Sequence, residues 1–163
     1  MIDYLDLELL ITRAGEGYRA RIIDSPGGQA ASDFMLPFAD AELRDFRRRL
    51  ERPRYAEGQL EAARDFGGRL FDAVFDGQML GCLRASIVRA ASEDRGLRLR
   101  LRLDDDAAEL GELPWELLYY RPLDRFFSLS SSTPLTRYLE MPEGVAPQLM
   151  EPPLRMLVTV ATP

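Results

Sequence analysis

The sequence predicts an α+β fold, an antiparallel sheet packed with two or three helices and followed by one further strand. Three observations carry that reading. Two runs of alternating apolar and polar residues flank a glycine turn near the start. From Ala39 the apolar spacing lengthens to that of helices. Between Leu97 and Leu103 it returns to strict period 2, the mark of a strand with one buried face.

Leu5–Thr12 is the first run, and Gly15-Glu16-Gly17 ends it. Tyr18, Ala20 and Ile22 then alternate with Arg19 and Arg21, so the pair reads as a β-hairpin. Ser25-Pro26-Gly27-Gly28 is a second turn and Ala31–Leu36 a third strand. Leu43, Phe46 and Leu50 recur at helical spacing, with Asp40 placed as a cap and Pro53 as a stop. Leu60, Ala63, Phe66, Leu70, Phe71 and Val74 form the stripe of a second helix over Gln59–Phe75. Met79–Ala91 is a third, joined to the second by so short a loop that the two should pair antiparallel.

After the Leu97–Leu103 strand comes a short helix over Glu112–Leu118, with Pro114 in its first turn. Phe126–Leu129 and Leu135–Leu139 read as short strands. Residues 140–153 carry four prolines and no period, which makes them a linker. Leu154–Val160 is a near-continuous apolar run of the kind that becomes a buried strand. The organisation is therefore a domain over 1–139, a Pro-rich linker over 140–153 and a strand-bearing segment over 154–163.

Composition removes whole classes of chemistry. The 163 residues contain no histidine, and all 21 basic residues are arginine. A Ser–His or Cys–His pair has no imidazole base, and a Walker loop or a Schiff base has no lysine. No catalytic, cofactor-binding or metal-binding residue can be assigned, and no cofactor is implied. The net charge of −6 argues against nucleic acid as partner. No apolar stretch is long enough for a membrane span, and the acidic start lacks the form of a secretory signal. With one cysteine and no disulfide framework, a cytoplasmic location is expected.

Five features could still carry function. Gly15-x-Gly17-x-x-Ala20 resembles a dinucleotide fingerprint, but a strand follows it where that chemistry needs a helix N-terminus. Asp104, Asp105, Asp106, Glu109 and Glu112 could gather a divalent cation, or form a solvated turn before a helix. Arg98, Arg100 and Arg102 form a row for an acidic partner, or an exposed strand face neutralised by those same acids. Cys82 has no base to activate it and suits a structural thiol. Trp115 is either a core anchor among leucines or a stacking platform for a ligand.

Several stretches resemble the front of CHAT-domain proteins, the bacterial caspase-like proteases. They are Gly96–Leu101, the run Gly111-Glu112-Leu113-Pro114-Trp115-Glu116-Leu117-Leu118-Tyr119, Phe127–Ser130, Thr133–Leu139 and Pro152–Val158. Gly68–Phe75 is similar to the segment that often precedes that region, and residues 97–139 resemble its start. The resemblance implies that Leu154–Val160 is the first strand of a caspase-like α/β fold, whose catalytic histidine and cysteine lie further on. It therefore implies a non-catalytic regulatory or interaction region for residues 1–163. The partner would be the protease itself, or a second copy paired through residues 154–160. The alternative is a ligand- or divalent-metal-binding domain that uses Asp104–Glu112 with Arg98–Arg102.

Overall fold

A computed structural model describes residues 2–50 and 58–138. The fold is α+β, with three α-helices set against one face of a five-stranded sheet. Strands β1 (Tyr4–Ala14), β2 (Gly17–Asp24) and β3 (Ala30–Phe34) form the antiparallel meander that the alternating runs predict. Gly15 takes the positive φ, 58°, that the two-residue loop between β1 and β2 requires. Leu7, Leu9, Ile11, Tyr18, Ala20 and Ile22 all reach the core from this meander.

Helices α1 (Asp40–Leu50), α2 (Gln59–Val74) and α3 (Gly77–Ser92) follow. Asp76, which ends the stripe of α2, is the N-cap of α3 and accepts from the Gly77 amide at 2.7 Å. The short connection does not make the two helices each other's main neighbour. Helix α3 lies across the strands, whereas α2 packs on residues 115–120. Phe46 of α1 and Phe38 before it stack on either side of Phe66 of α2, with centroids 4.1 and 4.2 Å away.

Strand β4 (Gly96–Leu103) then enters beside β1, and here the expectation of a wholly antiparallel sheet fails. β4 runs parallel to β1, and β7 (Leu135–Tyr138) runs parallel to β4. The sheet is mixed, with order β3-β2-β1-β4-β7. The physical reason is the connection: three helices between β3 and β4 carry the chain over one face, and such a crossover permits a parallel return. Alternation along a strand reports which face is buried and says nothing of direction.

The chain between β4 and β7 is built of short turns. A 3₁₀ segment over Asp105–Glu112, kinked at Ala107, follows β4. Within the stretch expected as a short helix, Glu112–Leu118, Pro114 precedes a second 3₁₀ turn, Trp115–Leu117. β5 (Tyr119–Tyr120) and β6 (Arg125–Phe126) make a small hairpin. Phe127–Leu129, expected within a strand, is another 3₁₀ turn. The linker over 140–153 and the strand expected over 154–160 lie outside the described residues.

Candidate functional site

The sheet has two chemically opposite faces. Leu97, Leu99 and Leu101 of β4 join Leu7, Leu9 and Ile11 of β1 in the core beneath the helices. Because side chains alternate, Asp6 and Glu8 of β1 and Arg98, Arg100 and Arg102 of β4 share the other face. The parallel register sets Asp6 opposite Arg98 and Glu8 opposite Arg100.

Arg98 donates to both Asp6 carboxylate oxygens, from Nε at 2.7 Å and Nη2 at 2.9 Å. This fork-to-carboxylate geometry is the strongest form of the ion pair. It holds the Arg98 guanidinium above its ordinary pKa, chiefly through the Asp6 hydrogen bond. Arg100 donates to Glu8 at 2.7 Å and approaches Asp6 at 3.6 Å. Its guanidinium also lies 4.7 Å from the centre of the Tyr138 ring on β7. Asp6 and Glu8 side chains are only 28% and 24% exposed, so these charges are well packed on the face opposite the described helices.

The structure thus places the arginine row where the sequence put it, on the outer strand face. The partners differ: Arg98 and Arg100 pair with Asp6 and Glu8, not with the acids after β4. Those acids separate onto other elements. Asp104 accepts from the Asp105 amide, and Asp106 from the Arg13 amide at the end of β1. Glu112 accepts from Arg47 on α1 at 2.7 Å. Glu109 accepts from the Tyr18 hydroxyl at 2.6 Å and lies 3.0 Å from Arg13. That bond to Tyr18 holds the Glu109 carboxyl below its usual range, while burial and then Glu109 itself raise the Tyr18 hydroxyl. Among the described residues no three carboxylate or thiol groups gather to hold a metal ion. The acidic stretch straps its 3₁₀ segment to β1, β2 and α1.

Cys82 is buried in α3, where its thiol donates to the Gly28 carbonyl at 3.2 Å and lies 3.3 Å from the Ser25 hydroxyl. Ser86, one helical turn on, donates to Ser25 at 3.0 Å and accepts from the Gly27 amide at 3.0 Å. The group fastens the 25–28 turn to α3, and its thiol is engaged as a donor, the role of the protonated form. Trp115 is fully buried, and its indole N–H donates to the Leu110 carbonyl at 2.7 Å, so it is a core anchor and offers no face to a ligand. Gly15 and Gly17 flank the hairpin loop, with β2 following where the dinucleotide fingerprint requires a helix.

Two hollows remain. One, of about 440 Å³, lies between α1 and α2 over Phe46 and Phe66, rimmed by Glu42, Asp45 and Asp65. Arg69 already binds Glu42 and the Pro37 carbonyl there. The other, of about 390 Å³, is a mostly apolar notch at the ends of β4 and β7, lined by Leu101, Leu103, Gly111, Arg137 and Tyr138.

The signal for Asp6 and Glu8 was present in the alternation of Leu5, Leu7 and Leu9. What the sequence lacked was the register that brings β1 and β4, ninety residues apart, side by side. Comparison with protein-family models, with curated proteins and with solved structures finds no match.

Proposed function

We propose that this chain is a non-catalytic regulatory and interaction region of a bacterial CHAT-type caspase-like cysteine protease, one that packs against the protease or brings copies of it together. The support for the family is the set of sequence stretches at 96–101, 111–119, 127–130, 133–139 and 152–158. The observation that carries the non-catalytic part is the engagement of the main candidate groups in holding the fold. Cys82 fastens a turn, Glu109 and Glu112 strap a segment, and Asp6 and Glu8 pair with Arg98 and Arg100. Without histidine or lysine there is no imidazole or amine base to turn the Cys82 thiol into a nucleophile.

The interaction part rests on β3 and β7, which stand at the two ends of the strand order. A strand edge offers backbone donors and acceptors to a further strand, whether from the protease or from a second copy. The setting proposed is the cytoplasm; among the described residues no helix is long and apolar enough to cross a membrane.

The test is the reading frame beyond Pro163. A histidine and a cysteine within the next few hundred codons, with peptide hydrolysis by the longer product that is lost when that cysteine is changed to alanine, is the expected result. A frame that supplies no such pair overturns the proposal.

A further inference from the structure

We infer that the face of the sheet opposite the described helices docks an acidic segment of a partner protein, gripped by Arg21 of β2 and Arg102 of β4 on either side of Leu10 of β1. The inference names the chemistry of a partner and does not depend on the protease reading.

The register builds the site. Ala31, Arg21, Leu10, Arg102 and Tyr138 stand in one rung that crosses all five strands. Directly opposed residues of neighbouring strands share a face. Strands lie about 4.8 Å apart, so Arg21 and Arg102 stand about 10 Å apart with Leu10 as an apolar floor between them.

The charges on this face are unevenly matched. Arg19 forks onto Asp33 at 2.6 and 3.0 Å, Arg98 onto Asp6, and Arg100 pairs with Glu8. The ladder neighbours of Arg21 are Ala31 and Leu10, and those of Arg102 are Leu10 and Tyr138, so neither has a carboxylate directly opposite. Arg21 is exposed and borders an open groove of about 300 Å³ shared with Arg19, Ala31 and Asp33. Arg102 already interacts within the chain, and the five N–H donors of a guanidinium leave room for a further acceptor.

A surplus of arginine thus sits on a chain whose net charge is −6. Its sign makes an acidic surface the complementary partner. The acids already on the face decide what kind. Asp6, Glu8 and Asp33 bracket the rung and repel a continuous polyanion such as a nucleic acid. Two carboxylates set either side of an apolar side chain match Arg21, Leu10 and Arg102 in turn, each gaining a charge-assisted hydrogen bond.

Fluorescence anisotropy with the full chain and a labelled peptide of repeated Glu-Leu-Glu tests this. The peptide is expected to bind, and its Gln-Leu-Gln counterpart to bind about tenfold more weakly or not at all. Arg21→Gln and Arg102→Gln are each expected to weaken the acidic peptide about tenfold. Arg44→Gln removes the same charge from an exposed position on α1 and is expected to change nothing. Absence of binding, equal binding of the glutamine peptide, or an unchanged affinity in Arg21→Gln overturns the proposal. So does an equal loss in Arg44→Gln, which means unspecific charge attraction, or displacement of the peptide by an equal concentration of single-stranded oligonucleotide, which means the face takes phosphate. Self-association of the chain that Arg21→Gln abolishes also overturns it, because a second copy then occupies the face.

Discussion

Asp6 and Arg98 face each other across the parallel β1–β4 ladder, joined by two hydrogen bonds of 2.7 and 2.9 Å. Parallel sheets are ordinarily covered on both faces and read as continuous apolar runs. Here the face opposite the described helices carries ion pairs between neighbouring strands, which lets β4 keep its alternation of leucine and arginine. A double-mutant cycle with Asp6→Ala and Arg98→Ala is expected to give a coupling of about 0.5–1 kcal/mol, reduced in 1 M salt. Additive single effects would mean the pair is ornamental.

Trp115 is the largest fully buried side chain. Trp115→Ala is expected to cost about 3–5 kcal/mol, the usual loss for a buried aromatic. Trp115→Phe keeps most of the volume but removes one hydrogen bond from the Leu110 carbonyl, which still accepts from the Leu113 amide at 3.1 Å, at a cost of about 0.5–1.5 kcal/mol. Urea unfolding of both variants checks the order, and a melting temperature unchanged by the alanine would refute the anchor.

Two helix-interior glycines should respond in opposite directions. A Cβ on Gly67 of α2 would lie 1.7 Å from the Leu117 carbonyl oxygen, so Gly67→Ala must push residues 115–119 off the helix. A Cβ on Gly81 of α3 meets nothing within 4 Å. Gly81→Ala is expected to stabilise by about 0.5–1 kcal/mol, and Gly67→Ala to destabilise by about 1–3 kcal/mol despite the same gain in helix propensity. Equal melting temperatures for the two variants would show that α2 does not press on that segment.

The Tyr18–Glu109 hydrogen bond limits stability at both ends of the pH scale. Glu109 has its pKa lowered by folding, so its contribution is present above the ordinary carboxyl range and is lost as pH falls through the lowered value. Tyr18 has its pKa raised, so its contribution is present below about pH 10 and is lost as pH rises through the raised value. Glu109→Gln is expected to lower the melting temperature at pH 7, with the difference closing as pH falls through the lowered Glu109 value. Tyr18→Phe should flatten the alkaline limb. A pH-independent difference for Glu109→Gln would contradict the coupling.

Much of the architecture was legible because burial imposes period. Leu7, Leu9 and Ile11, the stripe of α2 and the leucines of β4 each announced their element. The strand direction was not legible, since Leu97–Leu103 alternates identically in either orientation. Between Asp104 and Leu129 the sequence suggests a short helix over Glu112–Leu118 and a strand over Phe126–Leu129, because local propensity does not separate these from 3₁₀ turns. The arginine row is visible at Arg98, Arg100 and Arg102, and the sequence offers Asp104–Asp106 as partners. For Arg98 and Arg100 the parallel register supplies Asp6 and Glu8 instead.

The proposal that this chain is a non-catalytic region is tested most directly by turnover of a fluorogenic peptide library. The repurified 163-residue chain is predicted to hydrolyse none of it above the buffer rate at any pH, and Cys82→Ala to give the same trace. Turnover that survives repurification and disappears with Cys82→Ala would contradict it.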